Sequence, residues 1–371
     1  MSRLNINNLT NENEDGSPKI TGITTFSSTA FLEAPKGTTA QRPENVAPGM
    51  IRFNTDSGHL EYYTGDFWDE VLVANNTLDG GNRGVRFGGN TPSITNVIDY
   101  ITISTLGNAL DFGDLSANRE ATGSGVASRT RGVTFSGYNS GYLNTIEYIT
   151  FASTGNTQSF GQLLVAVQQA TGLSNSTRGL MFGGTNAGSD VNTIEYITID
   201  STGNSVDFGD CSHTISAVGG CASSTRGIIV AGYISPANTN RIDYVTISTT
   251  GNSIDFGDTL NETRSLFAAS NSTRGIIGGG YVAPAPINNI EFITISTTGN
   301  SQDFGDLTQG RFAGASVSSS TRMCFMGGVT PSRQNTIDYV TILSTGNAQD
   351  FGDLTGPAGE TKGCSNGHGG L

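Results

Sequence analysis

The feature that most constrains this 371-residue chain is a period. The triplet Asp-Phe-Gly recurs at Phe112, Phe208, Phe256, Phe304 and Phe351, and Ser159-Phe160-Gly161 fills the remaining slot, so successive phenylalanines lie 48, 48, 48, 48 and 47 residues apart. A catalytic centre needs a given metal ligand once, whereas six copies at fixed spacing mark a stacked structural unit. The Gly-rich loop and His-Arg-Asp segment that phosphoryl transfer requires beside Asp-Phe-Gly are also missing from the sequence.

Other landmarks keep the same step. Each unit opens on Arg83, Arg131, Arg178, Arg226, Arg274 or Arg322 and runs into an apolar strand rich in small residues, as in RGIIGGGY. A variable stretch follows, then a β-branched and aromatic strand such as NIEFITIS or TIDYVTIL. Both faces of that strand carry apolar groups, which requires a sheet covered on both sides. A TGN turn, whose Gly and Asn tolerate positive φ, reverses the chain into the DFG strand. A small-residue strand, FAGASVSS in one unit, leads to the next Arg, and its slight side chains suit a place where neighbouring sheets converge. With 51 glycines and only 14% charged residues, the composition fits short strands and tight turns rather than helices.

Four strands per period, buried on both faces, describe a blade of a β-propeller. The first unit begins at its second strand, Arg83, while the chain closes on GETKGCSNGHGGL, which aligns with TRSLFAASNSTRG of the fifth unit. The last strand is therefore expected to complete the first blade and close six of them into a ring with no bare sheet edges. A β-solenoid is the rival architecture, but its coils are shorter and need no such exchange of ends.

The formal net charge of −13 repels a phosphate backbone, so no nucleic-acid partner is expected. The first residues, MSRLNINNLTNENEDG, lack the apolar centre of a secretory signal, and no apolar run is long enough to cross a bilayer, so assembly in a cytoplasm without membrane insertion is expected. Cys211, Cys221, Cys324 and Cys364 show no paired spacing, and Cys211, His213 and Cys221 are a poor zinc pattern. Calcium at the repeated Asp114, Asp210, Asp258, Asp306 and Asp353 is disfavoured because each unit offers few oxygen ligands and Gln162 replaces one Asp. No metal, no cofactor and no catalytic residue are expected.

On these residues the array resembles the kelch repeat family. Arg311 or Arg264, Gly279-Gly280 or Gly327-Gly328, Phe292 or Tyr339, and Phe304 or Phe351 occupy the positions of the kelch signature, with Phe where kelch repeats usually carry Trp. The resemblance covers about residues 82–371 and implies a kelch-like propeller, without implying one activity.

Residues 1–75 do not follow the period. Residues 1–36 read as an extended anchor and 37–75 as a small β-meander built from GMIRFNTD, HLEYYTG and FWDEVL, too short to bury much apolar surface alone; the propeller is assigned residues 76–371. The meander is similar to a segment near the start of many bacteriophage tail-fibre and virion structural proteins, through Arg42-Pro43, Gly49 to Asp56, Gly58, Leu60 to Tyr63, Gly65 and Trp68. With near-identical blades behind it, the chain looks like a fibre protein of a cyanophage-like virus. The resemblance implies attachment to other virion proteins through the N-terminal segment, with Arg52, Phe53, Tyr62, Tyr63 and Trp68 as attachment or oligomerisation residues, and a homotrimer.

Comparing the six units with one another gives a map of candidate recognition. The SSTRG-like and STGN-like loops are uniform, whereas those between second and third strands, from YNSGYLN to YVAPAPINN, differ throughout. Loops free of packing constraints drift, so variation alone is neutral. This face also gathers Tyr138, Tyr142, Tyr233 and Tyr281 among small polar residues, a composition suited to sugar or protein surfaces. The reading is a virion appendage whose propeller binds a host surface glycan or protein receptor. A decoration or connector protein is the alternative, and a polysaccharide depolymerase is a weaker one: no nucleophile motif stands near His213 or His368, while the 32 Asp and Glu residues leave hydrolysis by paired carboxylates open.

Overall fold

The computed structural model describes residues 34–71, 82–120, 123 and 125–371, so the anchor expected over 1–36 lies almost wholly outside the described residues. The chain divides into two compact units, residues 1–75 and 76–371. Both are built from β-strands, and there is no α-helix among the described residues.

In the first unit Ile51–Asn54, His59–Tyr63 and Trp68–Val71 pair antiparallel in order, and Lys36–Gly37 adds to the first of them in parallel. Alternation puts Arg52, Asn54 and Glu61 on one side, all buried, and leaves Ile51, Phe53 and Tyr62 exposed on the other. The covered side is thus polar. Glu61 accepts from Arg42 at 2.6 Å and from Asn54 Nδ2 at 3.1 Å, and Arg52 stands 3.4 Å from it. The hydrogen bond from Arg42 holds the Glu61 carboxyl below its ordinary range despite burial.

The second unit is a series of six antiparallel sheets on one four-strand plan. In the fifth, Phe267–Ser270, Arg274–Gly278, Asn289–Thr294 and Gln302–Asp306 lie side by side in chain order. The first sheet takes its strands from both ends of the unit. Lys362–Ser365 pairs antiparallel with Arg83–Thr91, Cys364 opposite Val85, and Ser93–Thr102 and Leu110–Asp114 follow. Beginning at the second sheet, Val126–Ala127, Thr171–Ser174, Gly219–Ala222, Phe267–Ser270, Ala315–Ser318 and Lys362–Ser365 each touch the next, and the last touches Val126–Ala127.

Three repeated devices join each sheet to its successor. Apolar cores lie between sheets: Phe267, Ile276, Ile290 and Phe304 of the fifth pack with Phe325, Val340 and Ile342 of the sixth. Each such side chain contributes about 1.5–3 kcal/mol on burial. The opening Arg of each unit lies over the aromatic of its own third strand and donates to a carbonyl of the next sheet; Arg274 sits 4.2 Å from the Phe292 ring and reaches Ile342 O at 3.0 Å. Arg322 reaches Ile103 O of the first sheet at 3.2 Å.

The DFG element is the third device. Phe304 fills the core while its carbonyl accepts from Gly346 N–H at 2.8 Å, and Asp306 N–H donates to Asn347 Oδ1 at 3.0 Å. The TGN turn of one sheet is therefore seated on the DFG strand of the sheet before it. The Gly of DFG leaves the space into which that turn fits, since a Cβ on Gly305 would meet the Gly346 backbone at 2.5 Å. In the variant unit Gln162 N–H still donates to Asn204 Oδ1 at 3.0 Å, so the backbone does this work and the Asp carboxylate is dispensable for it. The pattern also joins the last sheet to the first, with Gly107 N–H on Phe351 O at 3.0 Å and Asp353 N–H on Asn108 Oδ1 at 3.0 Å.

Candidate binding face

Where the variable loops leave the sheets, the segment before each innermost strand forms a single antiparallel bridge to the end of the second strand. The six bridges are Gly359 to Asn90, Glu120 to Tyr138, Gln168 to Thr185, Ser216 to Tyr233, Arg264 to Tyr281 and Phe312 to Val329. Three of the four tyrosines singled out from sequence thus hold equivalent positions. All four are half-buried.

They form two groups. Tyr138 and Tyr142 meet edge to face at 5.6 Å, and the Tyr142 hydroxyl accepts from Gly188 N–H at 3.1 Å. Tyr233 and Tyr281 flank Arg264, whose guanidinium carbon lies 5.2 and 5.3 Å from the two rings, and Tyr281 packs on Phe312 at 5.2 Å. Among the described residues the Arg264 guanidinium makes no hydrogen bond and no ion pair. Its assignment beside Arg311 as an interchangeable linker Arg is thereby corrected. Arg311 is fully buried and bonds Asp338 at 2.7 Å, and Arg119 pairs likewise with Glu147; Arg264 stands one position later, equivalent to Phe312, and lines an open depression instead of pairing with a buried carboxylate.

Arg264, Tyr233 and Phe312 line an open depression of about 730 Å3, together with Asp190, Glu360 and several hydroxyl side chains. A smaller pocket that shares Gln169, Ala217, Ser265 and Glu360 with it is also lined by Lys362. Burial raises the Glu360 carboxyl, with Lys362 opposing it, and lowers the Lys362 amine to about 8. The far ends of the innermost strands enclose a cavity of about 50 Å3 lined by Ser174, Ser270, Ser318, Ser365, Cys364 and His368. There Ser270 donates to Ala222 O at 2.7 Å and Ser365 to Ser318 O at 2.7 Å, linking sheet to sheet. His368 is inserted against these strands, its Nε2 donating to Ala127 O at 2.9 Å and its Nδ1 accepting from Gly370 N–H at 3.1 Å. Burial lowers its pKa to about 4, so the ring is neutral.

Comparison with protein families and with curated proteins finds no match for this chain.

Among the described residues no three His, Cys, Asp or Glu side chains converge as a metal site. Cys211 and Cys221 lie in different apolar cores, and burial pushes both thiols up to about 12, away from the thiolate a nucleophile requires. In the first unit the five residues expected to form one attachment surface fall on two sides of the meander. Arg52, Tyr63 and Trp68 cluster, with Tyr63 at 5.6 Å and Arg52 at 6.0 Å from the indole, whereas Phe53 and Tyr62 are exposed opposite them. Sequence reading also passed over the acid of each third strand, Asp99, Glu147, Glu195, Asp243, Glu291 and Asp338, all buried. Each accepts a hydrogen bond from the preceding sheet's outer segment, as Asp99 does from Thr355 at 2.6 Å and Glu195 from Leu164 N–H at 2.9 Å. Their recurrence beside a β-branched Ile was the available signal.

Proposed function

We propose that residues 76–371 form a six-bladed propeller and that the chain is a non-enzymatic virion appendage, displaying its variable face to a host surface partner while residues 1–75 attach it to other virion proteins. The observation that carries the reading is the succession of contacts that returns to its start. The core packing, the Arg-to-carbonyl bonds and the turn-on-DFG seats each link the sixth sheet to the first as they link every other neighbouring pair. Such an assembly is stiff, and its framework positions repeat while the loop face differs from sheet to sheet. Rigid scaffolds that present variable loops are suited to recognition.

The exposed Ile51, Phe53 and Tyr62 of the first unit give it an apolar side available for assembly, in keeping with a homotrimer. Two measurements test the reading. Electron-microscope images of the purified chain should show discs with six wedges, and labelling of intact particles should locate residues 1–75 at the virion. Alanine at Tyr138, Tyr142, Tyr233 and Tyr281 together should reduce adsorption to host cells while circular dichroism shows the chain still folded; full adsorption would overturn the assignment of the binding face.

A further inference from the structure

We infer that the depression walled by Tyr233, Arg264 and Phe312 is a binding site for a neutral saccharide. The inference rests on the proposed binding role of the variable face and assigns its ligand class. Its first support is the broken symmetry of the rim. The six equivalent bridge positions carry Gly359, Glu120, Gln168, Ser216, Arg264 and Phe312, six different chemistries, where the framework around them repeats residue types. A ligand at this rim meets a different partner on each side and is fixed in one orientation.

The second support is an uncommitted guanidinium. Arg86, Arg119 and Arg311 each pair with a buried carboxylate, whereas Arg264 is held in place by two tyrosine faces with its N–H groups unused. A stacked, oriented Arg costs little further ordering when it donates to a ligand. Sugar rings present apolar C–H faces and hydroxyl edges. Tyr233 and Phe312 offer the matching surfaces, Arg264 the donors, and Asp190, which accepts from Thr185 Oγ1 at 2.9 Å through one oxygen, keeps its other oxygen for a hydroxyl.

Charge selects against acidic sugars. Arg264 and the neighbouring Lys362 are matched by Asp190 and Glu360, so the depression has no surplus of positive charge to attract an acidic sugar, on a chain whose net charge is −13. The volume, about 730 Å3, lies within the roughly 300–1,000 Å3 of ligand clefts.

The test is calorimetric titration of the full chain with neutral hexasaccharides of glucose, mannose and galactose, and with a hexasaccharide of uronic acid. At least one neutral probe should bind, and the uronic probe should bind more weakly. Arg264→Ala and Phe312→Ala should each weaken binding about tenfold or more. If either fails to fold, Arg264→Lys and Phe312→Leu carry the same comparison, with weakening in the same direction. Absence of binding by all three neutral probes, equal or tighter binding of the uronic probe, or indifference to the variants overturns the inference. Cell adsorption measured in parallel separates the two readings: adsorption lost in the tyrosine variants but kept in Arg264→Ala would leave the variable face as the binding surface and remove the saccharide site.

Discussion

Gly305 and Gly346 belong to neighbouring sheets, and a Cβ on Gly305 would lie 2.5 Å from both the carbonyl carbon and oxygen of Gly346. Gly305 also has φ of 150°, a conformation that side chains disfavour. Gly305→Ala should therefore destabilise the second unit by about 2 kcal/mol or more, combining strain and a lost turn seat. Asp306→Ala, one residue on, should change stability by no more than about 0.5 kcal/mol, because it reaches the next sheet through its backbone, the N–H donating to Asn347 Oδ1 and the carbonyl accepting from Ala348 N–H. Urea melts of the two variants check the contrast, and equal losses would contradict it.

Arg311 and Asp338 are both fully inaccessible and 2.7 Å apart. Asp338→Asn leaves a guanidinium buried without its counter-charge and should cost about 3–5 kcal/mol. Arg241 and Asp255, 3.5 Å apart and partly exposed, provide the control: Asp255→Asn should cost less than about 1 kcal/mol. Denaturation midpoints of the two variants measure the difference.

His368 gives a pH dependence of defined sign. Its pKa falls from the ordinary 6.5 to about 4 on folding because of burial, with the bond to Ala127 opposing the fall and Arg129 adding to it. The unfolded chain thus binds the proton more readily. The contribution is complete above pH 6.5 and is lost progressively as pH falls toward 4, up to a ceiling of about 3 kcal/mol. His368→Gln should flatten the stability profile between those limits, read as the difference from the parent so that carboxylate titrations cancel.

Removing residues 360–371 deletes the strand Lys362–Ser365 and strips the first sheet of one neighbour. The shortened chain should melt at lower temperature and aggregate through the uncovered edge of Arg83–Thr91. Light scattering during thermal unfolding detects this. A shortened chain that scatters no more light than the parent and keeps its melting temperature would show that the strand carries no structural load.

Much of this was legible because repetition averages away local ambiguity. One NIEFITIS segment is an uncertain strand; six at a constant step, each followed by a TGN turn and DFG, leave little choice. What escaped was whatever depends on register between segments. Arg264 and Arg311 both sit just before small-residue strands, yet one position separates a framework ion pair from an open guanidinium, and only the bridges to Tyr281 and Val329 reveal it. Likewise Arg52 and Glu61 alternate with aromatics as an exposed charged side would, and their burial follows from Arg42 and Thr38 folding over them. Charge pattern alone does not disclose that cover.

Arg83 N–H donates to Asn366 Oδ1 across a sequence separation of 283 residues. On the ribosome, the opening strand of the array waits for almost all the others to be translated before its flank is occupied. Closure entropy over so long a span makes that last pairing slow. The first sheet is therefore complete only in a chain whose synthesis has passed Asn366.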